Sequence, residues 1–293
     1  MRIFCTLTIF LVSLLTACTS DKPSNQWTTV SSSPDQPTPS ATKQNAEKAG
    51  FASNLPEGFT NPTDEAAKGL LKEYGAVFVA RGGAISPKVV VFPNDAAVTA
   101  FQSSAPTSTE TVGGVSITLQ NPAMKGLQSA IAEASQSGKT ITPRGADAAK
   151  RSYAGTVELW ASRVKPGLDH YVGLGRMTAA DATRIRGLSP YEQVPEIFKL
   201  ESQGMYFSKD LSKSIIYSVA PPGSSQHLSM LALDVTENEN SDVRKILAKH
   251  GWFQTVLSDL PHFTFLGVAE SELPGLGLKK SSNSGRVFWT PDI

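Results

Sequence analysis

Ala220-Pro221-Pro222-Gly223-Ser224-Ser225-Gln226-His227-Leu228-Ser229-Met230-Leu231-Ala232-Leu233-Asp234-Val235, read together with Asp259-Leu260-Pro261-His262-Phe263-Thr264-Phe265-Leu266, decides the fold. Residues 231–235 alternate as a strand does, with Leu231, Leu233 and Val235 turned to a core and Asp234 to the opposite face. In residues 262–266 two Phe alternate with His262 and Thr264, so this imidazole too lies opposite the apolar face. A seven-residue step from His227 to Asp234 would put the two on opposite faces of one regular strand, so the chain must turn between them, around residues 228–230. Pro261 has no N–H for a central ladder, which leaves Asp259 on a loop leading into the second strand. The fold class expected is α+β, a central antiparallel sheet that carries these polar residues and is flanked by helices.

Two imidazoles and a carboxylate form a ligand set for a catalytic Zn2+ with a fourth position left to water, and the candidates are His227, Asp234 and His262. Asp259, three residues before His262, suits a different task. A zinc-bound water has a pKa near 7, and a nearby carboxylate can take its proton. The chain has four His. His250 closes the helical run 241–250 ahead of Gly251, where an imidazole complements the helix terminus and Gly supplies the left-handed cap. His170 has no recognisable partner spacing and reads as a loop or surface residue.

Pro-Gly-x-Ser-x-His, six residues and Asp, followed by an acidic residue-x-x-His, resembles the D-Ala-D-Ala carboxypeptidase and dipeptidase family of zinc peptidases, which includes vancomycin-resistance enzymes and phage L-Ala-D-Glu endopeptidases. Pro222, Gly223, Ser225, His227, Ala232, Asp234 and His262 carry the resemblance, which covers about residues 120–267. The family has an essential Arg after an upstream strand. Arg144, in Ile141-Thr142-Pro143-Arg144-Gly145 and before a helical pattern over residues 147–163, is the best match, with Arg151 a competing candidate. An Arg there would hold a peptide carbonyl or carboxylate and the oxyanion with its planar fork. Ser225 would either bind substrate or fix the loop. Two positions depart from the family pattern: Met230 stands where a glycine is usual, and Asp259 where the carboxypeptidase branch has Glu and the endopeptidase branch Asp. The resemblance implies a zinc-dependent peptidoglycan peptidase, a D-Ala-D-Ala carboxypeptidase of stem peptides. The alternatives are an L-Ala-D-Glu type endopeptidase and an inactive wall-binding lipoprotein on the same fold.

The amino terminus sets the expected location. Residues 1–17 read as a secretory signal, with an apolar run too short for a membrane span of about 20 residues. Leu15-Thr16-Ala17-Cys18 resembles the bacterial lipoprotein cleavage box, in which Cys18 is lipidated and becomes the first mature residue. The two Cys are then a lost Cys5 and an acylated Cys18, leaving no disulfide. Up to residue 50 the chain is rich in Ser, Thr, Pro, Asn, Gln and Lys and too poor in apolar residues to order itself. This tether of about 32 residues would span roughly 30 Å as a coil and approach 100 Å extended. The expected location is therefore the cell envelope, anchored in a membrane by lipid, and Thr19 in place of the Asp of inner-membrane retention points to an outer membrane where there is one. Residues 51–293 then form one zinc peptidase domain with an amino-terminal extension before residue 120. Loss of residues 1–17 removes Arg2 and no acid from the 27 basic and 26 acidic residues, so the mature charge is balanced and nothing suggests nucleic acid.

Elsewhere the pattern predicts helices over residues 64–74, 94–101, 122–135, 179–188 and 190–203, a hairpin from strands at 76–80 and 88–92, strands at 115–119, 140–142, 214–219 and 286–289, and a loop over 103–114. Cys18→Ser should leave the precursor unlipidated and move the protein out of the membrane fraction; a variant still extracted only by detergent would remove the lipidation assignment.

Overall fold

The computed structural model describes residues 50–293; the expected leader, Cys18 and the stretch expected to be a tether, to residue 49, lie outside the described residues. Helix α1 (Glu65–Tyr74) begins where the Asp64 carboxylate accepts the Ala67 N–H at 2.8 Å, satisfying one of the orphan donors of a first turn. The run 76–80 is not a strand but lies largely in a 3-10 turn, Gly75–Val79, buried throughout. Residues 88–92 pair with no strand either: Phe92 N–H bonds Gly223 O at 2.9 Å, and Lys88 O accepts from Thr60 N–H. A short apolar run is compatible with either state, and tertiary burial chose the turn.

Helix α2 (Asp95–Ser104) is capped by Asn94. Strands β1 (Thr107–Val112) and β2 (Val115–Gln120) then form a hairpin around Gly113 and Gly114, both at positive φ. Half of the expected loop at 103–114 is thus strand, concealed by the all-polar Thr-Ser-Thr-Glu-Thr of an exposed edge. Helix α3 (Asn121–Gln136) follows directly.

Helix α4 (Tyr153–Gly173) starts later and runs further than residues 147–163. Its start is set by the Ser152 hydroxyl, which accepts Gly155 N–H. Upstream the backbone is engaged elsewhere: Ala148 O takes the Asp234 N–H at 2.8 Å, and Ala149 O faces His227. The helix passes through Pro166, which is exposed, and carries His170 on its last turn. At Gly167 an added Cβ would fall 2.4 Å from the Phe207 ring, so α4 packs more closely there than any other residue allows. Helices α5 (Ala179–Arg186) and α6 (Pro190–Ser202) start at the Thr178 and Ser189 caps. The expected strand at 214–219 is a 3-10 turn, Ile215–Tyr217.

The central sheet is antiparallel in the order β3 (Ala232–Asp234), β5 (His262–Phe265), β4 (Trp252–Phe253), with helix α7 (Ser241–Lys249) between β3 and β4 in the chain. Asp234 pairs directly with His262. Residues 140–142 contribute no strand, and one bridge from Pro143 to Val235 marks their course. A separate hairpin of β6 (Leu278–Asn283) and β7 (Arg286–Pro291) closes the chain. The α+β class is as expected. His250 follows α7, its imidazole on Glu133 at 3.0 Å, with Gly251 at φ +80°.

Leu231, Leu233, Phe263, Phe265 and Trp252 pack the sheet into the main core with α1, α3 and α7. A second apolar cluster, with Trp160, Leu168, Ile185, Ile197 and Phe207 fully buried, joins α4, α5 and α6; each such side chain contributes about 1.5–3 kcal/mol on burial. Glu201 fastens the following loop to this cluster by accepting the backbone N–H of Ile215 at 2.7 Å and of Phe207 at 3.1 Å. Glu201→Ala strands both buried donors and should cost about 2–4 kcal/mol in denaturant unfolding, whereas Glu201→Gln, which still accepts, should cost less; equal losses would show that the carboxylate fills space only.

Candidate metal centre

The loop before His227 is held by its glycine. Gly223 lies at φ +80°, and a Cβ there would sit 2.1 Å from Phe92 O, so only glycine permits the backbone contact with residue 92. A 3-10 turn, Gln226–Ser229, then brings His227 round, and Met230 ends it in the left-handed region at φ 59°, ψ 27°. The chain does turn between His227 and Asp234. The position that is glycine in the resembling family keeps glycine's conformation here with a Met side chain. A non-glycine residue costs about 1–2 kcal/mol in that conformation. Full burial of the Met230 side chain, at about 1.5–3 kcal/mol, offsets it.

His227, Asp234 and His262 meet. His262 Nδ1 lies 3.1 Å from His227 Nε2 and 3.2 Å from Asp234 Oδ1, and His227 Nε2 lies 3.4 Å from that same oxygen. Ligand atoms about 2.0–2.1 Å from a tetrahedral zinc stand about 3.3–3.4 Å apart, so the triangle has the dimensions the ion requires. Both imidazoles are 3% exposed, so solvent does not screen the cluster.

The tautomers follow from what faces the outer nitrogens. His227 Nδ1 is 2.9 Å from Ala149 O, which can only accept, so Nδ1 carries the hydrogen and Nε2 presents its lone pair to the cluster. On the other ring, His262 Nε2 faces Gln226 Oε1 at 2.9 Å. The Gln226 amide is oriented in turn by its own NH2 group, which donates to Tyr74 O at 2.8 Å. Its Oε1 therefore accepts, His262 Nε2 donates, and Nδ1 is left unprotonated. Thr264 Oγ1 also donates to Gln226 Oε1 and is itself in contact with Thr255 Oγ1. Two lone pairs and a carboxylate oxygen thus converge with no proton among them, an arrangement that a cation satisfies. Burial pushes the His227 pKa down, against the pull of the Asp234 charge, and so favours the neutral ring. Burial would raise the Asp234 carboxyl, but a proton entering the cluster sits on the His227 or His262 ring, whose charge and hydrogen bond then outweigh burial and hold the carboxyl well below the usual carboxylate range.

The cluster opens into a cleft of about 270 Å³. Ser225, Asp259 and Arg151 line it with the two His. Ser225 is 7% exposed and its hydroxyl does not cap the turn that follows. Asp259 sits on the loop before β5, and its carbonyl accepts the His262 N–H at 3.2 Å.

Arg144 and Arg151 are placed differently. Arg144 is exposed and absent from the cleft wall; its backbone N–H bonds Asp234 O at 3.0 Å. It does not stand at a helix entrance, because α4 begins after Ser152. Arg151 does, on the cleft wall, with Nη2 3.5 Å from Asp147 Oδ2 and 3.9 Å from Asp234 Oδ2. Its Nε is buried without a hydrogen-bond partner, a donor left open beside the metal ligands. Gln226 is the member of the site that the sequence reading passed over. It lies next to His227 in the chain but serves the other imidazole across the sheet, and no spacing rule announces that.

No family model and no curated protein matches the sequence. Among solved structures, a vancomycin-resistance D,D-pentapeptidase variant from a VanB-type resistance cassette, in complex with Zn(II), aligns with 56% of this chain and 82% of its own length at 15% identity and a TM-score of 0.31.

Gln226→Ala removes the acceptor that fixes the His262 ring and should weaken zinc binding about 10–100-fold, measured by chelator competition, with ring-nitrogen NMR reporting a mixed tautomer. Unchanged affinity with an unchanged tautomer would mean that Gln226 does not orient the ring.

Proposed function

We propose that the protein is a zinc-dependent peptidase of peptidoglycan stem peptides, acting at a D-Ala-D-Ala terminus. The observation that carries this reading is the convergence of two imidazole lone pairs and a carboxylate in a cleft that the Asp259 carboxylate and the Arg151 guanidinium also line. His227 through Nε2, His262 through Nδ1 and Asp234 would hold the ion. When bound, zinc supplies Lewis acidity, polarising a carbonyl and lowering the pKa of water to about 7.

The rest is work for the chain's own groups. Asp259 accepts the proton of the attacking water and returns it to the leaving amine. Arg151, rather than Arg144, offers N–H donors to the oxyanion that develops on the carbonyl, and the ion pairs with Asp147 and Asp234 hold its guanidinium in place. Ser225, free of the capping duty, binds the substrate backbone. The peptidoglycan substrate rests on the residue pattern from Pro222 to His262, and lipidation at Cys18 would keep the domain within reach of the wall. One feature favours a second reading, an L-Ala-D-Glu type endopeptidase: Asp259 is the acid of that branch.

Asp259→Asn should abolish hydrolysis with zinc still bound, because the amide cannot accept a proton at neutral pH. Asp259→Glu should also lose activity, about a hundredfold, since an added methylene displaces the carboxylate by more than 1 Å. Mass spectrometry of muropeptides checks both, and loss of a single Ala identifies the carboxypeptidase. Near wild-type turnover by the zinc-loaded Asn variant would remove Asp259 as the base.

A further inference from the structure

The cleft has a second charged end. Thr156, Leu159 and Arg163 recur at helical spacing and turn one stripe of α4 into its wall, opposite residues 216–220. Arg163 is half-buried there, with Nε donating to Ser218 Oγ at 2.9 Å and Nη1 to Ser162 Oγ at 2.9 Å. Both partners are neutral. Among the described residues no carboxylate lies within ion-pair distance of Arg163, in contrast to Arg151, Arg184, Arg186 and Arg286; Arg81, Arg144, Arg176 and Arg244 share that lack, but of these five only Arg163 lines the cleft. A guanidinium fixed by two hydroxyls, facing a cleft and uncompensated in charge, is an arrangement that receives an anion, and the planar fork suits a carboxylate.

We infer that Arg163 is a specificity-determining residue that binds a carboxylate of the peptide substrate away from the bond at the metal centre. The position along α4 sets which carboxylate. Arg163 lies about ten residues, about 15 Å of helical rise, along α4 from its start at Tyr153, and Arg151 stands just before that start beside the candidate metal ligands. An extended peptide advances about 3.3–3.6 Å per residue, so a carboxylate that meets Arg163 belongs to a residue two or more removed from the bond at the metal. The substrate class is then an acidic peptide longer than a dipeptide, and the terminal carboxylate of a residue released at the metal is not what Arg163 reads. Tyr217, 44% exposed beside Ser218, completes the wall there.

This inference rests on the peptidase reading, and the test separates the two. The zinc-loaded chain is offered the stem pentapeptide L-Ala-γ-D-Glu-L-Lys-D-Ala-D-Ala and its D-isoglutamine counterpart, which differ in one carboxylate. The ratio of kcat/KM where product forms, or of Kd where none does, gives the acid-over-amide preference. Wild type should prefer the acid about tenfold or more, as expected for a half-buried charge-assisted pair. Arg163→Gln should bring the ratio toward one, Arg163→Lys should keep part of it, and added salt should lower it in wild type. Equal handling of the two peptides by wild type, or a preference that survives in Arg163→Gln, overturns the inference. Product formation is scored separately: a preference for the acid without product leaves the anion subsite standing and removes the peptidase reading.

Discussion

The site depends on one constraint, the pairing of Asp234 on β3 with His262 on β5. Register in an antiparallel pair is all or nothing, because a slip by one residue turns every side chain to the other face. Here a slip would send His262 into the core and Phe263 into the cleft. Five apolar side chains on the inner face, Leu231, Leu233, Phe263, Phe265 and Trp252, fix the register by burial. The candidate metal centre is therefore positioned by the hydrophobic core behind it, and its three side chains need contribute little to folding.

That division of labour explains what could be read from the chain. The alternation in residues 231–235 and 262–266 is written by the core, so both strands and the direction of Asp234 and His262 were legible, as was the turn that lets His227 join them. The helix starts at Asp64, Asn94, Thr178 and Ser189 were legible for a local reason, since each cap is a short-range hydrogen bond between a side chain and its own turn. What failed was non-local. The runs at 76–80, 88–92 and 214–219 have strand composition but no strand partner, and whether a partner exists depends on the whole fold. Strand β1 was hidden for the converse reason, having a partner but no apolar face.

The two arginines show the same limit at finer scale. Arg144 satisfies the sequence pattern, following a bridged segment and preceding a helical periodicity. Yet the backbone between residues 147 and 151 is drawn to β3 and His227, through Ala148 O and Ala149 O, and cannot wind until Ser152. That delay moves the helix entrance by several residues and places Arg151 where Arg144 was expected. Ala149 O, one of the two carbonyls so engaged, also fixes the His227 tautomer, so the delay of α4 and the chemistry of that imidazole are linked.

Residues 51–120 lie outside the stretch that resembles the zinc peptidases, yet several of them touch the ligand loop. Phe92 pairs with Gly223 before the loop. Gln120 holds the end of the turn, its backbone N–H on Met230 O at 3.0 Å and its side-chain NH2 on Ser229 O at 2.7 Å. Tyr74 O orients Gln226, which orients His262. Each contact fixes a feature that the loop could not keep alone: a positive φ at Gly223, a left-handed Met, an amide that faces one way. A left-handed Met230 in particular must be held by its surroundings, since the conformation is unfavourable in isolation. The amino-terminal extension is thus a brace against the candidate metal centre, and it holds from outside the loop a left-handed conformation at position 230 that a glycine would adopt without steric cost.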